Sequence, residues 1–135
     1  MNKLKGKIID IQSSDHISMV YVDVDGDILS SIILEGKKGP LNYQIKDNVT
    51  LLFKETEVGI AKDLTGMISL RNRFPAIITK IDKGPILAKI TLAYKCHTIE
   101  SIISSQSTAS MKLKEEDDVE WLVKTNEVTL MKDPK

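Results

Sequence analysis

The sequence is short of most things that would mark a function. Lys plus Arg and Asp plus Glu both number 19, so the formal net charge is zero. A general nucleic-acid binder needs a basic face to displace counterions from phosphates, and no such surplus exists here. Aromatic residues make up 4% of the chain, too few for the exposed rings on which single-stranded bases stack. The single cysteine, Cys96, excludes an intrachain disulfide and fits a reducing compartment, so a cytoplasmic location is expected. Met1-Asn2-Lys3-Leu4-Lys5 leads into no apolar signal segment, and no apolar run approaches the roughly 20 residues of a membrane span. His16 and His97 stand far apart with no Cys or carboxylate pattern around them. No metal cation site is therefore expected, and without base–nucleophile pairing no enzyme is expected either.

What the sequence does contain is a repeat. Ile8 to Asp63 lies over Ile78 to Asp133 without a gap, at an offset of about 70 residues. Ile32-Ile33 falls on Ile102-Ile103, Asp47 on Asp117, Val49 on Val119, and Lys54 on Lys124. The expectation is a first domain over 1–65 and a second over 66–135, with Asp63 to Met67 as linker and Gly66 as its breaker. A lone lobe of that size buries only about 60% of its unfolded surface, so the two are expected to pack on each other or on further subunits.

Apolar residues recur with a period of two. Val20, Val22 and Val24 alternate with Met19, Tyr21 and Asp23; Ala88, Ile90 and Leu92 do the same in the second copy. This is the signature of strands with one face on a core. Strands are predicted at Lys7–Gln12, Ile17–Val24, Ile28–Leu34, Val49–Lys54 and Val58–Ala61, with counterparts in the second copy. Asp25-Gly26 is a hairpin signal, replaced by a different turn at Lys95-Cys96-His97. A polar bridge joins the third and fourth strands. It predicts a short helix near Ser105–Lys112 in copy two and a loop around Gly36, Gly39 and Pro40 in copy one. Ile68 to Asn72 reads as an extended lead-in strand. Short strands with one bridging helix predict a mainly β protein of two tandem OB-like small Greek-key β-barrels. Trp121 alternates with Val119 and Val123 and is assigned to the core.

Three polar clusters of the second copy can carry chemistry: Ser69-Leu70-Arg71-Asn72, Ser104-Ser105-Gln106-Ser107 and Lys124-Thr125-Asn126. They supply two cations, several hydroxyls and free backbone N–H groups, with no clustered carboxylates. Such a set suits a small oxyanion that accepts hydrogen bonds on every side. Plainer readings exist. Lys54 and Lys124 are also what solvated strand ends look like. Arg71 also suits a surface ion pair with the Glu115–Asp118 run. Asp23, Asp25 and Asp27 do not make a calcium loop, because Ile28 and Leu34 occupy the positions that need Gly and Glu.

Ser69-Leu70-Arg71-Asn72 resembles the Ser-Ala-Arg-Asn signature of the Mop domain, also called TOBE, of molybdate-binding proteins. Ile102 to Ser107 is similar to that family's Val-Val-Thr-Lys-Glu-Ser stretch, and Leu122 to Val128 to its Leu-Ile-Lys-Ala-Ser-Glu-Val stretch. The resemblance covers the chain as a tandem pair, as in dimolbindins or the C-terminal half of the molybdate-responsive regulator. It implies intracellular binding of molybdate or tungstate for storage, buffering or sensing. The sites would lie between domains or subunits of a homo-oligomer, a trimer or a dimer, without nucleic acid or membrane. The alternative it implies is a sensing and oligomerisation module of a regulator or transporter. Carried over by position, it implies an oxyanion site of Ser69, Arg71, Ser104, Ser107, Lys124 and Thr125. Leu70 replaces the family's alanine. In copy one only Asn2 of the signature remains, and Leu34 and Lys37 stand in place of Ser104 and Ser107. Copy one is therefore expected to be mainly scaffold, with Lys54 marking a possible second site.

Overall fold

Alternation sets the strands. Val20, Val22 and Val24 are fully buried, while Met19, Tyr21 and Asp23 between them are half-buried; Ile90, Leu92 and Tyr94 repeat the pattern. The computed structural model describes residues 1–34 and 42–134. The first copy contributes β1 (Asn2–Ser14), β2 (Ile17–Val24), β3 (Asp27–Leu34), β4 (Asn48–Phe53) and β5 (Gly59–Ala61). The second contributes β6 (Asn72–Lys83), β7 (Leu87–Tyr94), β8 (His97–Ser104), the helix α1 (Ser105–Ser110), β9 (Asp118–Val123) and β10 (Thr129–Lys132). Among the described residues no helix is long and apolar enough to cross a membrane.

The strands form two antiparallel sheets of five, ordered β10-β4-β1-β2-β3 and β5-β9-β6-β7-β8. The long first strand of each copy serves two neighbours. The start of β1 pairs with β4 and its remainder with β2, with a register shift between Ile8 and Asp10. β6 does the same with β9 and β7, shifting between Ile78 and Lys80. A bulge at that point bends the strand and raises its twist, which curls each sheet into the OB-like barrel predicted.

The closing strands are exchanged. β5, from the first copy, pairs with β9 of the second; β10 pairs back with β4. Each sheet is thus completed by the other repeat. Buried hydrogen bonds reinforce the exchange, and they too come in pairs related by the repeat. Asn72 Nδ2 donates to the Ser30 carbonyl (2.9 Å), and Ser30 N–H donates to Asn72 Oδ1 (2.8 Å). Asn2 makes the same two bonds with Glu100, both 2.8 Å. Ser31 Oγ donates to the Val128 carbonyl and Ser101 Oγ to the Val58 carbonyl, each at 2.6 Å. The asparagine closing the Ser69–Asn72 motif is therefore a fastener between repeats.

One apolar core runs through both sheets. Trp121 is fully buried in it, stacked on Phe53 (centroids 5.5 Å apart, 5° between planes) and edge-on to Tyr94 at 5.1 Å. Its assignment to the core holds. The indole N–H has no hydrogen-bond partner among the described residues, a desolvation cost of about 1–3 kcal/mol.

Several local expectations hold and others need correction. Asp25 and Gly26 form a two-residue hairpin, both with positive φ (50° and 96°). The matching turn has the same length but differs in backbone, with Lys95 at φ 52° and Cys96 not left-handed. The helix forms over Ser105–Ser110, and Met111-Lys112 turn away. The lead-in strand at Ile68–Asn72 does not form. β6 starts at Asn72, opposite Val123, the last residue of β9, so the residues before it have no strand to pair with. The first strand begins at Asn2, not Lys7, because Asn2 to Gly6 lie against β4. The loop predicted around Gly36, Gly39 and Pro40, and Lys37 with it, falls outside the described residues.

Shared core and exchanged strands predict one cooperative unfolding transition in urea. Asn72→Ala removes the partners of the Ser30 N–H and carbonyl and is expected to lower stability by about 2–4 kcal/mol. A two-step transition, or a loss below about 1 kcal/mol, would contradict this account.

Candidate functional site

The site residues predicted in the second copy sit in the segments that flank its strands. β8 runs out at Ser104, whose side chain caps α1: Ser104 Oγ accepts from the Ser107 N–H at 3.1 Å and donates to Ser107 Oγ at 2.9 Å. Ser and Thr favour this position because the hydroxyl meets an N–H that the first turn leaves free. Ser105, by contrast, is an anchor. Its N–H donates to the Ile86 carbonyl and its Oγ to that of Gly84, at 2.8 and 2.7 Å. β9 runs out at Val123. Lys124 then takes an extended conformation and its carbonyl accepts from Glu127 N–H (3.0 Å), opening a single 3₁₀ turn over Thr125–Glu127. Ser69 and Arg71 lie in the irregular segment before β6, both exposed.

These three segments approach one groove of about 620 Å³ between the repeats. Its walls are apolar: Val58 and Ile60 from the first copy, Leu70, Ile102, Ile103 and Leu122 from the second. Lys124, Lys62 and Glu57 supply its charged groups. Of the predicted residues, Lys124 lines the groove. Leu70, between Ser69 and Arg71, and Ile103, before Ser104, line it too, which puts Ser69, Arg71 and Ser104 next to lining residues. Ser107 and Thr125 are not in its wall.

The cations differ in how far they are already committed. Lys62 pairs with Asp117 Oδ2 at 2.9 Å and donates to the Lys112 carbonyl at 3.1 Å. Arg73 grips both Glu120 oxygens, at 2.8 and 2.9 Å, and this bond holds its guanidinium above the usual arginine range. Lys124 and Arg71 have no ion-pair partner among the described residues. The reading of Arg71 as a partner for the Glu115–Asp118 run thus does not hold. Asp117 of that run goes to Lys62 and Glu120 goes to Arg73.

The first copy has a counterpart. Lys54 opens the 3₁₀ turn Glu55–Glu57 as Lys124 opens its own. It lines a cleft of about 210 Å³ with Phe53, Asn126 and Thr129, but also with two carboxylates, Glu57 and Glu127. Next to it Ile32, Ile33 and Leu34 line a second cleft of about 330 Å³ with Val128 and Leu130. The repeat thus yields two versions of one surface, of which the Lys124 version carries the smaller share of negative charge.

The reading of His97 as isolated is corrected. The two hairpin tips meet, bringing His97 and Cys96 beside Asp25. Sequence distance hid this; the signal was the repeat itself, which sets Asp25-Gly26 and Lys95-Cys96 at equivalent turns.

The structure is thus a tandem pair of OB-like barrels with a groove between the repeats, at which Lys124 has no ion-pair partner among the described residues. The model of the TOBE domain family matches residues 68–130, the second repeat. No curated protein matches the sequence. Among solved structures it is similar to the cytoplasmic molybdate-binding protein ModG in a form with molybdate bound. The identity is 22%, over 98% of this chain and 96% of that one, with a TM-score of 0.91. A molybdate-binding protein from Sporomusa ovata is 36% identical over 52% of this chain and 100% of its own, with a TM-score of 0.46.

The Lys62 bond holds the Asp117 carboxyl below its ordinary value of 3.8, assisted by the Lys114 N–H and opposed by partial desolvation. Because the folded-state value is the lower one, the ion pair stabilises the fold above that pH. The contribution is lost as pH falls through the folded value. Thermal unfolding from about pH 6 to pH 3 is expected to show this loss, and Asp117→Asn to flatten it. Identical profiles for the two proteins would contradict the assignment.

Proposed function

We propose that this chain binds molybdate or tungstate, without doing chemistry on it, at the groove that carries Lys124. The observation behind this reading is Lys124 itself, a cation with no ion-pair partner among the described residues, in an apolar groove toward which the three motif segments run. An apolar wall lowers the local dielectric and strengthens the attraction between a fixed ammonium and a dianion. In the proposed site Lys124 and Arg71 balance the charge. Ser69, Ser104, Ser107 and the Thr125 N–H then replace the water shell. Ser104 and Ser107 donate and accept between themselves, so one hydroxyl turns outward when the anion arrives. ModG, which shares the fold, was crystallised with molybdate bound; a cytoplasmic role as a store, buffer or sensor of the oxyanion is proposed here by likeness. Repeat one serves mainly as scaffold. Lys54, facing Glu57 and Glu127, makes a weaker second site.

Discrimination against sulfate is geometric in this scheme. Sulfate is the smaller dianion, and its oxygens fall short of some donors, leaving each buried group unpaired at about 1–3 kcal/mol. Calorimetric titration is expected to give saturable binding of molybdate that sulfate does not match, lost by tenfold or more in Lys124→Ala and much less affected in Lys54→Ala. Equal affinity for the two anions, or an unaltered Lys124→Ala, would overturn the proposal.

The groove takes its walls from both repeats, which favours a second role as a sensing and oligomerisation module. An anion seated there touches the joint between repeats and biases any assembly, dimer or trimer, that depends on it. Sedimentation velocity with and without molybdate separates the roles: a ligand-dependent change in coefficient marks a sensor, and an unchanged one marks a store.

A further inference from the structure

The meeting point of the hairpins β2–β3 and β7–β8 collects a carboxylate, a thiol and an imidazole that the oxyanion reading does not use. Asp25 Oδ2 lies 2.6 Å from His97 Nε2 and 3.7 Å from Cys96 Sγ; Cys96 Sγ lies 3.7 Å from His97 Nε2. The three donor atoms form a triangle no edge of which exceeds 4.8 Å. We propose that this triangle is a binding site for a thiolate-tolerant divalent cation of the zinc type, held by Asp25, Cys96 and His97.

Edge lengths support the assignment. Zinc bonds of about 2.3 Å to sulfur and 2.0–2.1 Å to nitrogen or oxygen, spread tetrahedrally, put ligand atoms about 3.4–3.6 Å apart. Both edges that include sulfur are already near that length. The Asp25–His97 edge has to open by about 0.8 Å, exchanging one hydrogen bond for two metal bonds. Donor chemistry selects the ion. Thiolate and imidazole suit zinc, cobalt(II) or nickel(II), whereas calcium and magnesium call for oxygen ligands throughout. The Asp25 side chain is 53% exposed, so an ion has an entry path and water can take the fourth position, as in three-ligand zinc sites.

The supports around the triangle are also in place. Cys96 sits in a two-residue turn, and the His97 ring packs 6.0 Å from that of Tyr94, its register partner. Tyr94 OH donates to Asp27 Oδ2 at 2.6 Å. Lys95 Nζ lies 3.5 Å from the same Asp27 oxygen and donates to the Asp25 carbonyl at 2.5 Å. Lys95 opposes a metal ion here, and Asp27 partly neutralises it. Asp25 belongs to the first repeat and Cys96 and His97 to the second, so a bound ion ties the two hairpin tips together.

Cobalt(II) titrated into the full-length protein tests the site, because a thiolate ligand adds a charge-transfer band that oxygen and nitrogen ligands do not. One equivalent is expected to produce the band, and zinc to abolish it by displacement. Cys96→Ser is expected to remove the band. Asp25→Asn and His97→Ala are each expected to weaken binding by about tenfold or more, and Lys95→Met to strengthen it. All four positions lie in or beside a hairpin turn, and circular dichroism verifies that each variant is folded. Lys124→Ala, at the separate groove, is expected to leave cobalt affinity unchanged, so the result is independent of the oxyanion reading. Absence of the band, or full affinity retained in both Asp25→Asn and His97→Ala, overturns the proposal.

Discussion

The exchange of closing strands is the constraint on which the rest of the molecule depends. Neither repeat completes its own sheet: β5 lies against β9 and β10 against β4. A small barrel with an open edge is both marginal and adhesive, and the exchange covers the outer edges of β4 and β9 while joining the two repeats. It also dictates where polar groups are buried. Asn2, Asn72, Ser31 and Ser101 are buried because each satisfies backbone groups of the other repeat. Even the ion pairs of the rim obey it, with Lys62 reaching Asp117 and Lys132 reaching Asp47.

That frame gives the groove its character. Val58 to Lys62 reach the groove only because β5 has crossed to the second sheet, so the wall facing Lys124 comes from the repeat that lacks most of the motif. The pseudo-symmetry then makes two versions of the surface, and side-chain charge separates them. Glu57 lies near both lysines, but only Lys54 has Glu127 as well. A dianion that must shed its water is sensitive to one extra carboxylate at short range, which is a physical reason for two similar folds to differ in use. The same symmetry operates at the opposite kind of site. Equivalent hairpin turns are driven together at their tips, and the differences between them, Asp25-Gly26 against Lys95-Cys96, set one acid beside a thiol and an imidazole.

Much of the architecture was legible in the residues. The repeat was visible as aligned apolar pairs, the strands as alternation, the first hairpin as Asp25-Gly26 and the helix as a polar stretch after Ile103. Ser104 was legible as a polar residue where the third strand gives way to the bridge, but its capping of α1 was not, because the same hydroxyl serves a cap or a ligand. Asn72 was legible as part of a motif but not in its role, because a fastener and a ligand-binding residue use the same side chain. The lead-in strand at Ile68–Asn72 was misjudged because alternation describes a segment that is able to pair and is silent about whether a partner lies beside it.

Local pattern therefore determined which segments of this protein are strands, where the chain turns, which residues are apolar enough to make a core, and which cations stand near the ends of β4 and β9. These are properties of a few consecutive residues, decided by side-chain period and backbone sterics. Only the tertiary structure decided which sheet β5 and β10 join, that Lys62 is spent on Asp117 while Lys124 has no ion-pair partner among the described residues, and that Asp25 meets His97. Each of those depends on residues brought together from distant parts of the chain by burial, and burial is a property of the whole fold that no short window of sequence contains.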